Sequence, residues 1–167
     1  MTRWVLQVAD LLRRPGQTRD ESVAAPLGGL AVVASRVPDD APVRLEGQLQ
    51  SVNEGIVLKG TVRARWEGEC RRCLRPVGGE LAADVLEVFE AEPTEGETSK
   101  LDGVKIDLEP LVREAVLLDL PLAPLCRDDC GGLCPECGAL RDEVDCGHGG
   151  GDVDPRWGAL QELRFDD

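Results

Sequence analysis

The chain has 167 residues, of which 42% are hydrophobic and only 3% aromatic, so it can bury an aliphatic core as one domain or as one domain with a small appendage. Its formal net charge of −13 excludes the class of proteins that wrap nucleic acid around a basic surface. Residues 1–12 lack the pattern of a secretory signal, and no apolar run approaches the ~20 residues of a membrane span. We therefore expect a cytoplasmic protein without membrane contact.

The first part of the chain predicts little regular structure. Residues 3–12 are predicted to form a strand that ends in a turn. Residues 17–28 are rich in turn-forming residues and predict a segment that wraps the surface. Residues 30–34 form a weak apolar run, which the following Pro-Asp-Asp-Ala-Pro sequence ends.

The middle of the chain predicts an antiparallel sheet. Residues 43–52 and 56–66 each alternate apolar and polar side chains, which is typical of half-buried strands. Asn53–Gly55 between them forms a turn, so the two strands predict a β-hairpin. Residues 80–90 are predicted to add a third strand to the same sheet.

The segment after residue 90 predicts a loop, a short strand and a helix. Residues 91–103 are acidic and polar, which favours a mobile surface loop, and Ile106 is expected to lie in a short strand. Asp107 can cap a helix over residues 107–119, and Pro110 fits its first turn. Residues at helical spacing predict the buried face of this helix: Leu108, Leu111, Val112, Ala115, Val116 and Leu118.

Six of the seven cysteines follow patterns typical of metal ligands. Cys70-Arg-Arg-Cys73 is one CxxC pair, and Cys134-Pro-Glu-Cys137-Gly138 has the pattern of a zinc knuckle. Two further cysteines, Cys126 and Cys130, directly precede the knuckle. In a reducing compartment such pairs indicate metal or redox sites rather than disulfides. Four thiolates in a closed set favour a structural Zn²⁺ ion.

Two ligand sets are compatible with these six cysteines. Cys126, Cys130, Cys134 and Cys137 could form a local site, which closes only short loops and which we favour. Alternatively, Cys70 and Cys73 could join Cys134 and Cys137 in a two-knuckle ribbon. The remaining candidates are Cys146 and His148 in the sequence Cys-Gly-His. For these two we favour a glycine-rich linker over residues 145–153, followed by a short helix from Asp154.

A basic segment surrounds the first CxxC pair. Residues 63–75 carry five arginines and two glutamates, a local charge of +3 in an acidic chain. Such a segment could contact phosphate or an acidic protein, with a tryptophan available for stacking, or it could be an ordinary solvated strand face. The candidate RNA- or partner-binding residues are Arg63, Arg65, Trp66, Arg71, Arg72 and Arg75.

The same arginines leave a second class of function open. Positive charge next to Cys70 and Cys73 lowers the pKa of a thiol, as a redox-active pair requires. The chain could therefore be a thiol-based redox or zinc-responsive regulator that uses the CxxC pairs. A redox CxxC usually opens a helix, whereas Leu74–Gly79 predicts none. We treat this function as the alternative.

Several motifs together resemble the bacterial YceD family, the large ribosomal RNA subunit accumulation proteins. They are residues 10–16 (DLLRRPG), 70–74 (CRRCL), 107–114 (DLEPLVRE), 130–138 (CGGLCPECG) and 154–160 (DPRWGAL). The resemblance covers nearly the whole chain. It implies a role in the accumulation or processing of 23S rRNA and no catalytic activity, and it implies that the cysteines form a metal site.

These observations predict an α+β protein. Its antiparallel sheet can curl towards a barrel, with one main packed helix and a cysteine-rich zinc-knuckle module. We expect a β-rich core over residues 1–119 and a zinc module, linker and short helix over 120–167. The predicted function is a non-enzymatic ribosome biogenesis factor with a structural Zn²⁺. Its partner would be a pre-ribosomal particle, through a 23S rRNA precursor or a basic ribosomal protein, and it would have no small-molecule substrate.

Overall fold

The computed structural model describes residues 3–12 and 14–148. Most of this part of the chain forms one curved β-sheet, a half-barrel, with one α-helix packed on it. The elements in chain order are β1 (Val5–Gln7), β2 (Thr18–Pro26), β3 (Ser35–Arg36), β4 (Pro42–Ser51), β5 (Gly55–Glu69), β6 (Pro76–Glu90), β7 (Ser99–Asp102), β8 (Lys105–Asp107) and α1 (Glu109–Asp119).

The sheet order is β1-β8-β7-β6-β5-β4-β2, and β3 pairs with β5 beside this path. All pairs are antiparallel except β6 and β7. The predicted hairpin is confirmed as β4 and β5, and Ile106 lies in a short strand as expected. Strands β5 and β6 are each 15 residues long and pair from Gly55–Glu90 to Glu69–Pro76. Their far end carries the first CxxC pair.

Side chains bridge the gap between the two edge strands, β1 and β2. Arg19 in β2 donates from Nη2 to the carbonyl oxygen of Gln7 at 2.9 Å and pairs with the carboxylate of Asp10. Arg3 donates to the carbonyl oxygen of Ala24 at 3.1 Å. Because backbone groups at a sheet edge otherwise lack partners, these contacts cover the seam of the half-barrel.

A pair of glycines allows the sheet to curve. Gly47 in β4 lies opposite Gly60 in β5. A Cβ atom on Gly60 would lie 2.5 Å from the carbonyl oxygen of Glu46, and one on Gly47 would lie 2.7 Å from that of Lys59. Only glycine therefore permits the close approach of the two strands at this point.

The helix packs its buried face against β5 and β6. Asp107 accepts a hydrogen bond from the backbone N–H of Glu109 at 3.0 Å, although the N-cap position itself is Leu108. Val112 and Val116 are fully buried, and each such side chain contributes about 1.5–3 kcal/mol through burial. The prediction for Leu118 is wrong, because its side chain is 80% exposed.

No helix in residues 3–12 and 14–148 is long and apolar enough to span a bilayer.

The prediction for residues 17–28 is wrong, because most of this segment is strand β2. Its alternation was hidden because Arg19 and Glu21, which pair with each other, stand where a strand pattern has apolar residues. The loop predicted over 91–103 is present over residues 91–98 and is followed by strand β7. The short helix expected from Asp154 lies outside the described residues.

Candidate metal centres

The two CxxC pairs lie on backbone turns of the same geometry. In the first turn, Cys70–Arg75, the N–H of Cys70 donates to the carbonyl oxygen of Arg75, and the N–H of Leu74 to that of Cys70, both at 2.8 Å. In the second turn, Cys134–Ala139, the equivalent two bonds are also 2.8 Å long. Each turn closes a short antiparallel pairing, Glu69 with Pro76 and Leu133 with Leu140. The second CxxC turn therefore repeats the structure of the first. The residues that flank the two turns differ too much for the sequence to indicate this repeat.

The first cysteine group consists of Cys70, Cys73, Cys126 and Cys130, whose sulfur atoms all lie within 4.8 Å of one another. The Sγ atoms of Cys70 and Cys130 are 3.9 Å apart, and those of Cys73 and Cys126 are 3.7 Å apart. Disulfide sulfurs lie at about 2.05 Å, whereas four thiolates around a tetrahedral Zn²⁺ at about 2.3 Å lie about 3.8 Å from one another. The donor set and its spacing therefore fit a tetrahedral metal ion.

Backbone and arginine contacts position the two halves of this group. The N–H of Arg71 in the first turn donates to the carbonyl oxygen of Pro124 at 2.9 Å. Arg72 donates from Nη1 to the carbonyl oxygens of Asp128 and Cys130, at 2.9 and 3.0 Å. These bonds hold the segment after helix α1 against the end of the long hairpin, so the thiols converge from distant parts of the sequence.

The four thiols of the first group differ in pKa, two lying below and two above the usual value for cysteine. Burial raises the pKa of Cys70, but hydrogen bonds led by that from the backbone of Cys126 outweigh it and lower the pKa to about 6. The backbone and side chain of Arg75 lower the pKa of Cys73. Burial and neighbouring sulfurs raise the pKa of Cys126 to about 12, and burial raises that of Cys130. A divalent cation would stabilise all four thiolates together.

The second cysteine group consists of Cys134, Cys137, Cys146 and His148, whose ligand atoms also lie within 4.8 Å of one another. The Nδ1 atom of His148 is 3.8 Å from the Sγ atom of Cys134. Backbone hydrogen bonds from Cys137 and Glu136 lower the pKa of Cys134 to about 6. A lowered pKa favours the thiolate, which is the form of cysteine that binds a metal ion.

The structure does not reproduce either ligand set expected from the sequence. Cys126 and Cys130 join Cys70 and Cys73, and not Cys134 and Cys137. The reason is the fold, which places the end of the β5–β6 hairpin beside the exit of helix α1. Cys146 and His148 lie beside the second turn, which favours the ligand interpretation of these two residues over the linker. Residues 149–153 of the expected linker lie outside the described residues. The spacing of a knuckle followed by Cys-Gly-His was the signal that could have indicated them.

The second group is tied to the first by polar contacts. Asp142 accepts hydrogen bonds from the N–H of Gly131 at 3.0 and 3.2 Å and pairs with Arg127 at 2.7 Å. Arg75 in the first turn pairs with Glu143 at 3.0 Å. The two groups therefore lie side by side and share no ligand.

The predicted arginine segment is divided between two faces and two roles. Arg63 and Arg65 are exposed on one face of β5. Trp66 lies on the other face, where its indole ring covers Gly79 and packs against the core. Arg71 and Arg72 are both exposed, but Arg72 and Arg75 differ from Arg71 in that their side chains make the contacts within the chain given above. Trp66 is therefore a packing residue in this structure.

The outer face of the sheet carries an open acidic groove of about 870 Å³. The paired glycines Gly47 and Gly60 are part of its wall, and the exposed side chain of Leu86 borders it. The charged residues on its outward face are three carboxylates and one lysine: Asp20, Glu46, Asp84 and Lys59. We call this surface the acidic groove.

Fold and cysteine groups together define a half-barrel protein with two ligand sets suited to a metal ion. The chain belongs to the YceD family, since the family model described as "Large ribosomal RNA subunit accumulation protein YceD" matches residues 58–164. This confirms the resemblance seen in the sequence. No solved structure matches the chain.

Curated relatives include two uncharacterised mycobacterial proteins. That of Mycobacterium tuberculosis is 38% identical over 169 residues, covering 95% of this chain and 80% of the relative. That of Mycobacterium leprae is 34% identical over 168 residues, covering 95% and 76%. A chloroplast protein of Arabidopsis thaliana, named large ribosomal RNA subunit accumulation protein YCED homolog 1, is 24% identical over 160 residues, covering 76% and 50%.

Proposed function

We propose that this protein is a non-enzymatic, cytoplasmic factor in large ribosomal subunit biogenesis that supports the accumulation of 23S rRNA. Membership of the YceD family and the name of the Arabidopsis relative support this process. The chain's one histidine stands among candidate metal ligands, and its cysteines are gathered in two ligand groups. The residue types that most often act as general base and nucleophile are therefore candidate metal ligands here, which favours binding over catalysis.

The partner that the geometry favours is a basic ribosomal protein, and the observation that carries this choice is the acidic groove. Three outward-facing carboxylates and one lysine line a groove on a protein of net charge −13. Such a surface attracts a basic polypeptide and repels phosphate. The open groove, bordered by exposed Leu86, also offers apolar contact for an extended segment.

A structural Zn²⁺ in the first cysteine group is the second part of the proposal. Cys70, Cys73, Cys126 and Cys130 would hold it, and three of these four residues are buried. The ion would supply a cross-link between the end of the β5–β6 hairpin and the segment after helix α1. Thiolate ligands and a closed coordination shell are typical of such structural sites.

Charge reversal in the groove tests the proposed partner. In cells that lack the native protein, Asp20→Lys with Glu46→Lys should lower the ratio of 23S to 16S rRNA and release the protein from large-subunit precursors in a sucrose gradient. Glu95→Lys with Glu97→Lys makes the same charge change at exposed positions outside the groove and should have no effect. Equal behaviour of both double variants would overturn the groove as the binding surface.

Direct contact with rRNA is a second candidate. Within residues 3–12 and 14–148, the side chains of Arg63, Arg65 and Arg71 take part in no salt bridge or hydrogen bond. They are available for phosphate. If Arg63→Glu with Arg65→Glu abolishes association with precursors while the groove variant does not, rRNA and not a ribosomal protein is the partner.

A further inference from the structure

We infer that the second cysteine group is a metal site in its own right, with three thiolates and one imidazole as ligands, and that it exchanges its ion faster than the first group does. Thiolate and neutral imidazole ligands in a tetrahedral set suit Zn²⁺. This site is distinct from the structural zinc proposed above and does not depend on the ribosomal function.

The turn that carries Cys134 and Cys137 is built like that of the first cysteine group. It has the same two hydrogen bonds as the turn of Cys70 and Cys73, with a left-handed residue, Gly138, at the same position. A backbone that places two thiols for coordination in one group places them equally in the other. The close approach of His148 Nδ1 and Cys146 to these sulfurs completes a four-ligand set.

The ligands of the second group are more exposed than those of the first. In the first group Cys70, Cys73 and Cys130 are at most 4% exposed. In the second group only Cys134 is buried, whereas Cys137 and His148 are exposed and Cys146 is intermediate. Cys126 is the one exposed ligand of the first group, whereas only one ligand of the second group is buried. A chelator must reach the ion or displace a ligand, so the second site is more open to it than the first.

The two ions would also join very different lengths of chain. The ligands of the second group all come from residues 134–148, so their release frees only a local loop. The first group joins residues far apart in sequence, and Val77, Leu125 and Leu140 pack against it. Opening the first site must break that packing, whereas opening the second need not.

The test is metal release from the purified zinc-loaded full chain to an excess of a chromogenic chelator. The wild-type protein should release two zinc ions per chain in two phases, the fast one about tenfold or more faster than the slow one. Cys126→Ser should abolish the slow phase alone. His148→Ala should remove the fast-phase ion or speed its release about tenfold, and His148→Cys should keep two ions per chain.

Cobalt substitution provides a readout that does not depend on rates. Co²⁺ in the second site should show the weaker thiolate charge-transfer absorption of a three-sulfur site, and His148→Cys should raise it to the intensity of the first site. One ion per wild-type chain, or release and cobalt spectra unchanged by His148→Ala, would overturn the inference. Either result would leave the rRNA complementation test unaffected.

Discussion

Leu74 and Gly138 occupy the same position in two turns with the same backbone hydrogen bonds, and both have left-handed backbone angles. The φ angle of Leu74 is 60° and that of Gly138 is 72°. Each donates its N–H to the carbonyl oxygen of the first cysteine of its CxxC pair, at 2.8 Å. Leu74 is the only non-glycine residue with positive φ among the described residues. An L-residue with a side chain pays about 1–2 kcal/mol for this conformation, so the first turn is strained where the second is not.

Exchanging these residue types should have opposite effects. Leu74→Gly should leave the free energy of unfolding unchanged or raise it by up to about 1 kcal/mol, because the strain is relieved and the lost side chain is 58% exposed. Gly138→Ala should weaken metal binding at the second group about fivefold, or about 1 kcal/mol, although no atom obstructs a Cβ there. Urea unfolding and metal competition measure the two effects. Destabilisation by Leu74→Gly would show that its side chain, and not its backbone, matters.

Arg72 should matter for the first cysteine group and Arg71 should not. Arg72→Ala removes two hydrogen bonds to carbonyl oxygens, one of them on the ligand Cys130. Bonds from a charged donor contribute about 1.5–3 kcal/mol, so metal release from the first group should be about tenfold faster or more. Arg71→Ala, which removes a side chain without such hydrogen bonds from the preceding residue, is the matched control. Similar release rates in the two variants would contradict the positioning role of Arg72.

Gly60 should not tolerate a side chain. Gly60→Ala places a Cβ atom 2.5 Å from a backbone oxygen of β4, which cannot move without separating the strands. We expect a loss of about 1–3 kcal/mol in the free energy of unfolding. Gly28→Ala is the control, because its Cβ would lie at an ordinary 3.4 Å from the side chain of Asp39. A Gly60→Ala protein as stable as the control would mean that the paired glycines do not set the curvature.

The seam between β1 and β2 should weaken in acid. The hydrogen bond from Arg19 lowers the pKa of Asp10 below its usual 3.8. A carboxylate with a lowered pKa stabilises the fold above the unfolded-state value, and this contribution is lost as the pH falls through the folded-state value. Asp10→Asn should therefore have a lower melting temperature than the wild type at pH 7, and the difference should shrink steadily below pH 4. A difference that is independent of pH would exclude the ion pair as its cause.

The fold was predictable where one side of a strand is apolar. Strands β4 and β5 alternate cleanly, and Asn53–Gly55 marks their turn, so the hairpin follows from the sequence. Strand β2 was not predictable, since Arg19 and Glu21 occupy its inward positions and neutralise each other at the seam. Periodicity measures hydrophobicity alone and cannot anticipate a partner that tertiary structure supplies.

The cysteine residues that form the candidate metal sites were largely predictable, but which cysteines meet in each site was not. CxxC spacing, a neighbouring glycine and the two cysteines that precede the knuckle make six cysteines candidate ligands in the sequence. Which thiols meet depends on the packing of helix α1, whose exit carries Cys126 and Cys130 to the hairpin that ends at Cys70. The spacing of cysteines along the chain does not show that the helix exit and the hairpin end lie close together in the fold. Loop-closure entropy favoured the local set, and the packed hairpin and helix outweigh it.

Native mass spectrometry of the intact chain, purified without chelator or reductant, tests most directly whether the cysteines are metal ligands. We expect a single species with two zinc ions bound, and one zinc ion each in Cys126→Ser and Cys146→Ser. A metal-free mass that is lower by the two hydrogen atoms of each disulfide formed would contradict it. That result would make the thiol-based redox regulator the better description of this protein.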